Sequence, residues 1–140
     1  MANRSLAVVV AVAVIVAGCG GDEMKVPDTQ AAQDAVSGFT KAFAAGDGAK
    51  ACGLLTTSAR DAFVKRAQTA TGSKDCAVAI RRVHDLAGAS VTGPLASSTV
   101  SDVKVAGSTA TAKLTAAGHS TTVSLTKQDG DWKLDGVPGL

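Results

Sequence analysis

Few side chains in this 140-residue chain can do chemistry: three cysteines, two histidines and scattered aspartates, with no tyrosine at all. Cys52, Cys76 and His84 are metal-ligand types. None of the paired short spacings of zinc sites is present, however, and no metal site is assigned. The absence of a Cys-x-x-Cys likewise removes a dithiol redox motif. An acid–base dyad would have to join His84 to Asp102, or His119 to a strand carboxylate, in an apolar pocket that tunes both groups. His84 sits at the margin of an apolar helical stripe and His119 lies beside Gly118 in a turn. Asp102 precedes Val103 in a strand whose valines face inward. These positions suit surface or edge roles, so no catalytic residue and no cofactor is assigned. Lys65-Arg66 and Arg81-Arg82 fall on the polar sides of helices. They read as solvated faces or, alternatively, as one basic patch toward anionic lipid headgroups.

The third cysteine has a different context. Leu6–Ala17 is a run of twelve apolar residues behind Arg4. As a helix it covers only ~18 Å, short of a ~30 Å hydrocarbon core. A charged start, a short apolar run and then small residues is the layout of a secretory signal peptide. The closing residues Val16-Ala17-Gly18-Cys19 resemble the lipobox of bacterial lipoproteins. That resemblance implies cleavage after residue 18 and a diacylglycerol on Cys19, a membrane anchor facing outward from the cell. Residues 19–27, glycine-containing and charged up to Pro27, have the composition of a flexible tether. From Gly20 to Pro27 the tether extends at most ~26–29 Å.

Export would take Cys52 and Cys76 out of the reducing cytosol, so a structural disulfide is their simplest use. It would close a loop of about 25 residues, worth roughly 3.5 kcal/mol by chain entropy.

Composition bounds the rest. The chain is 46% apolar and has 27 alanines, enough for one domain with a small-residue core whose only large aromatics are Phe39, Phe43, Phe63 and Trp132. Fourteen basic against twelve acidic residues is too balanced for binding nucleic-acid phosphates. From Ala32, apolar residues recur at helical spacing through Phe43, with Asp28 or Thr29 as cap and Gly46 as stop. A short helical turn over Gly48 to Leu55 carries Cys52. Ser58-x-x-Asp61 opens a second helix with Ala59, Ala62, Phe63 and Ala67 inside. A third helix follows Ser73, with Cys76, Ala79, Ile80, Val83, Leu86 and Ala87 on its stripe. After Pro94 the period becomes two, in strands around Val103 and Val105, Ala110–Ala116, Thr121–Leu125 and Trp132–Leu134. Gly107-Ser108, Ala117-Gly118 and Asp129-Gly130 supply the turns. Three amphipathic helices are thus expected to cover an antiparallel meander of four strands, with a fifth short strand near Val91 as an addition.

This order of elements, one cysteine after the first helix, another at the start of the third, and the closing hairpin Lys127–Leu134 resemble the NTF2-like (cystatin-like, α+β) fold. In particular, the chain is similar to small actinobacterial lipoproteins of that fold. The resemblance covers about residues 28–137 within a domain taken as 28–140. It implies a curved sheet and helices forming a cone whose open end can hold a small molecule. Phe39, Phe43, Phe63, Trp132 and His84 are the candidate lining, although Trp132, alternating with Leu134, reads first as a core residue and only alternatively as the floor of the cavity. The expectation is a non-enzymatic module of the cell envelope, bound to the membrane through its lipid. Its cone would either be filled by its own side chains or take a small apolar ligand or an envelope protein. Some proteins of this fold are ketosteroid-isomerase-like lyases or isomerases, which makes such an enzyme the alternative.

Overall fold

A computed structural model describes residues 26–139. The expected leader, the lipidated Cys19 and most of the tether fall outside these residues. The chain is α+β. Helices α1 (Asp28–Ala44), α2 (Gly48–Gly53), α3 (Thr57–Thr71), α4 (Cys76–Ala87) and α5 (Ala89–Ala96) precede strands β1 (Thr99–Ala106), β2 (Thr109–Ala116), β3 (His119–Gln128) and β4 (Asp131–Leu134). The strands form one open antiparallel sheet in the order β1-β2-β3-β4. Among the described residues no helix is long and apolar enough to cross a membrane.

Helices α1 to α4 each bury part of their apolar face, whereas α5 buries no residue. In α1 the buried residues are Ala32, Ala35, Val36, Phe39, Thr40, Ala42 and Phe43, and this helix lies across β1, β2 and β4. It begins after Pro27, with no side-chain cap, rather than at a cap on Asp28 or Thr29. Asp28 is instead the first helical residue, and its carboxylate is engaged elsewhere. In α3 the cap is Thr56, whose hydroxyl accepts from the Ala59 amide, two residues ahead of the Ser58 expected for that role. The shift has a backbone cause. Thr56 donates its own amide to the Leu134 carbonyl at 2.9 Å, which holds it extended just where the helix must start. Ala62 of α3 and Leu86 of α4, both expected inside, are exposed, Leu86 at 70%. No element packs over that flank of either helix.

Two further expectations are corrected. The segment around Val91 is helix α5, not a fifth strand, and it packs on α1 and α4. Thr121 is exposed although it has the inward parity of Val123 and Leu125. In register it pairs with buried Leu114.

The turns use positive φ where expected: Gly107, Ala117 with Gly118, and Asp129 with Gly130. In β1 a bulge between Ser101 and Lys104 places Asp102 at φ 50°. The extra residue restores one-sidedness, since Val100, Val103 and Val105 all pack against the core despite their mixed spacing. The sheet's inner face, with Ala110, Ala112, Leu114, Val123, Leu125, Trp132 and Leu134, joins the helical stripes in one cluster. The free edge of β4 is closed by residues 53–56, through a parallel bridge from Leu55 to Leu134 and by Lys133 Nζ on the Gly53 carbonyl.

Candidate functional site

Two cysteines pin the helical layer. Cys52 at the end of α2 and Cys76 at the start of α4 form a disulfide, with Cα atoms 6.1 Å apart and both residues buried. Gly48 packs so tightly under α4 that a Cβ there would lie 2.0 Å from the Ala77 carbonyl oxygen. The covalent bond and this close approach hold α2 against α4 at two points.

Where α1 begins, Lys127 Nζ donates to Asp28 Oδ1 at 2.7 Å and Trp132 Nε1 donates to the same oxygen at 3.3 Å. Lys127 also lies 5.4 Å from the centre of the Trp132 ring. This cluster ties the first helical turn to the β3–β4 hairpin. Trp132 is therefore a buried core residue with its polar edge satisfied.

Two apolar recesses open between the helices and the chain end. The first, about 500 Å3, lies along α3 and is lined by Ala59, Ala62, Phe63, Ala67 and Ala70. The second, about 490 Å3, lies between α5 and the end of β2, with Phe43, Val91, Pro94, Leu95 and Ala116 in its wall. Val83 and Val137 line both, so the two are halves of one trough divided by the chain after β4. That segment is anchored at Asp135, whose amide donates to the Ser124 carbonyl at 2.9 Å and whose carboxylate accepts from Thr126 Oγ1 at 2.8 Å. From Gly136 to Gly139 it makes no hydrogen bond to other described residues, and half-buried Val137 is its contact with the core. Among the described residues the only ionisable groups on the two walls are exposed Arg66 and Asp135, both in the first.

The sequence-derived candidates are spread unevenly over this geometry. Phe63 and Phe43 each line one recess. Phe39 is enclosed in the core and stacks on Phe43 at 6.2 Å between ring centres. His84 lines neither recess. Its Nε2 lies 3.0 Å from the Ala44 carbonyl at the end of α1, and its Nδ1 is 3.1 Å from the Asp85 carboxylate. Asp102 is exposed and sits 3.9 Å from Lys113 Nζ, and His119 is exposed at the start of β3. The arrangement therefore brings neither histidine together with Asp102, and both thiols are consumed in the disulfide. Val83, Val137 and the alanines on the Ala62–Ala70 side of α3 are the wall residues that sequence reasoning missed. Ala62 could have been found from its apolar register, whereas Val137 lies after the last strand, where no periodicity marks it.

No family model matches the chain, and a search of curated proteins finds no match to it.

Proposed function

We propose that this chain is a lipid-anchored, non-enzymatic module of the cell envelope, of NTF2-like architecture, held on the outer face of the membrane through Cys19. Its trough takes a small apolar ligand. The observation that carries the reading is the pair of adjoining apolar recesses, walled by alanine, valine, phenylalanine, leucine and proline around Val137. Such walls retain a ligand by excluding water from it, with few directional contacts. The five helices and four-stranded open sheet support the NTF2-like assignment, in which the trough corresponds to the mouth of the cone. The lipobox-like Val16–Cys19 and the disulfide support export.

Native mass spectrometry of protein extracted gently from its own envelope tests ligand binding. The expected result is a bound species of a few hundred daltons that is lost in Ala70→Phe, which fills the first recess. Protein mass alone, in wild type and variant alike, would overturn the ligand reading.

A further inference from the structure

The charges of the domain are sorted by layer. Residues 48–87, spanning α2 to α4, carry seven basic side chains against three acidic ones. The rest of residues 26–139 carries five basic and seven acidic. The pairing differs in the same sense. Lys113 and Lys127 form ion pairs with Asp102 and Asp28, whereas no lysine or arginine between 48 and 87 is ion-paired with a described residue. Six of these seven, all but half-buried Arg60, are exposed.

Three of the seven line one groove. A groove of about 610 Å3 runs between α2, α3 and the start of α4. Its charged wall is made of Arg60, Lys65 and Lys74 with Asp61 and Asp75. Asp75 is occupied as the α4 cap, accepting from the Val78 amide at 2.9 Å. Arg60 Nε is buried there with no hydrogen-bond partner among the described residues. A buried donor left unpaired raises the local free energy until an acceptor reaches it. Arg82 donates to the Thr71 carbonyl at the end of α3.

We propose that the α2–α4 face docks on a membrane surface rich in anionic phospholipid, with a headgroup phosphate seated in the groove at Arg60, Lys65 and Lys74. The proposal rests on the lipid-anchor reading above, which places the domain within a tether's reach of such a surface. Phosphate oxygens are strong acceptors for guanidinium and ammonium donors and match the charge of this face, which the rest of the domain does not. Docking this way would orient the module.

The test uses the full-length lipidated protein in phosphatidylcholine vesicles, with and without phosphatidylglycerol, treated with a membrane-impermeant amine reagent and read by peptide mass spectrometry. In the anionic vesicles Lys50, Lys65 and Lys74 should react about fivefold more slowly than in neutral ones, as ~1 kcal/mol per surface cation implies. Lys104 and Lys113 on the sheet should not change. Salt at about 1 M, with a screening length of ~3 Å, should abolish the protection. In Lys65→Gln/Lys74→Gln, whose melting temperature serves as the folding control, Lys50 should react equally in both vesicle types. Equal rates for the wild type, or protection that survives high salt, would overturn the proposal. Equal protection by inorganic phosphate on neutral vesicles would also overturn it, since the groove would then read a free anion. Flotation with neutral vesicles tests the anchor separately: protein that floats only with anionic vesicles lacks the anchor yet still docks.

Discussion

Replacing both bridged cysteines, Cys52→Ala with Cys76→Ala, removes the covalent link between α2 and α4 and leaves no free thiol. The bridge spans a sequence separation of 24. Releasing a loop of about 25 residues restores ~12 cal/mol/K of chain entropy to the unfolded state, or about 3.5 kcal/mol at room temperature. Two buried sulfur atoms are also lost, which adds up to about 1 kcal/mol as small cavities. For a domain of this size the sum lowers the melting temperature by roughly 12–20 °C. Urea titration by circular dichroism measures the effect, with the free energy extrapolated linearly to water. Reduction of the wild-type protein should reproduce most of the loss, because it frees the same loop. A loss below about 1 kcal/mol would refute the entropic reasoning. It would mean that contacts such as Gly48 under Ala77 already hold the two helices together in the unfolded ensemble.

Three further substitutions probe individual contacts. Gly48→Ala drives a Cβ to 2.0 Å from the Ala77 carbonyl oxygen, and it should destabilise the domain by about 2 kcal/mol or more in the same titration. Ala117 holds φ 51° in the β2–β3 turn; Ala117→Asn, better suited to that region, should raise stability by about 0.5–1 kcal/mol, and a loss would contradict the assigned turn. Asp28→Ala removes a part-exposed ion pair and the acceptor for Trp132. It should lower stability by about 1 kcal/mol and change the emission of the only tryptophan, whereas unaltered emission would count against the contact.

Strands were legible because the sheet has one wet face. Alternation in Ala110–Leu114 and around Val123 and Leu125 could only mean one side inward, and the turn residues between them fixed the register. The bulge at Asp102 was not legible, since nothing in Val100-Ser101-Asp102-Val103 marks an extra residue until α1 is laid across it. Helix α5 mixes β-branched residues, Gly93 and Pro94, a composition that suits a strand or a loop as well as a helix, and tertiary packing on α1 decides it. The disulfide was accessible because two cysteines remain once Cys19 is set aside, and the expected export makes a bridge their simplest use. The trough was only half legible. Phe43 and Phe63 stand out as large residues in an alanine-rich chain, but the wall at Val137 depends on where the end of the chain returns, a property of the whole fold.

The proposed membrane anchor requires residue 19 to be a lipidated amino terminus. Mass spectrometry of the amino-terminal peptide, from protein extracted with detergent out of its native membrane, measures this directly. The expected result is a chain that begins at Cys19 and carries a diacylglycerol on the sulfur. A chain that begins at Met1 with an unmodified Cys19 thiol would contradict it.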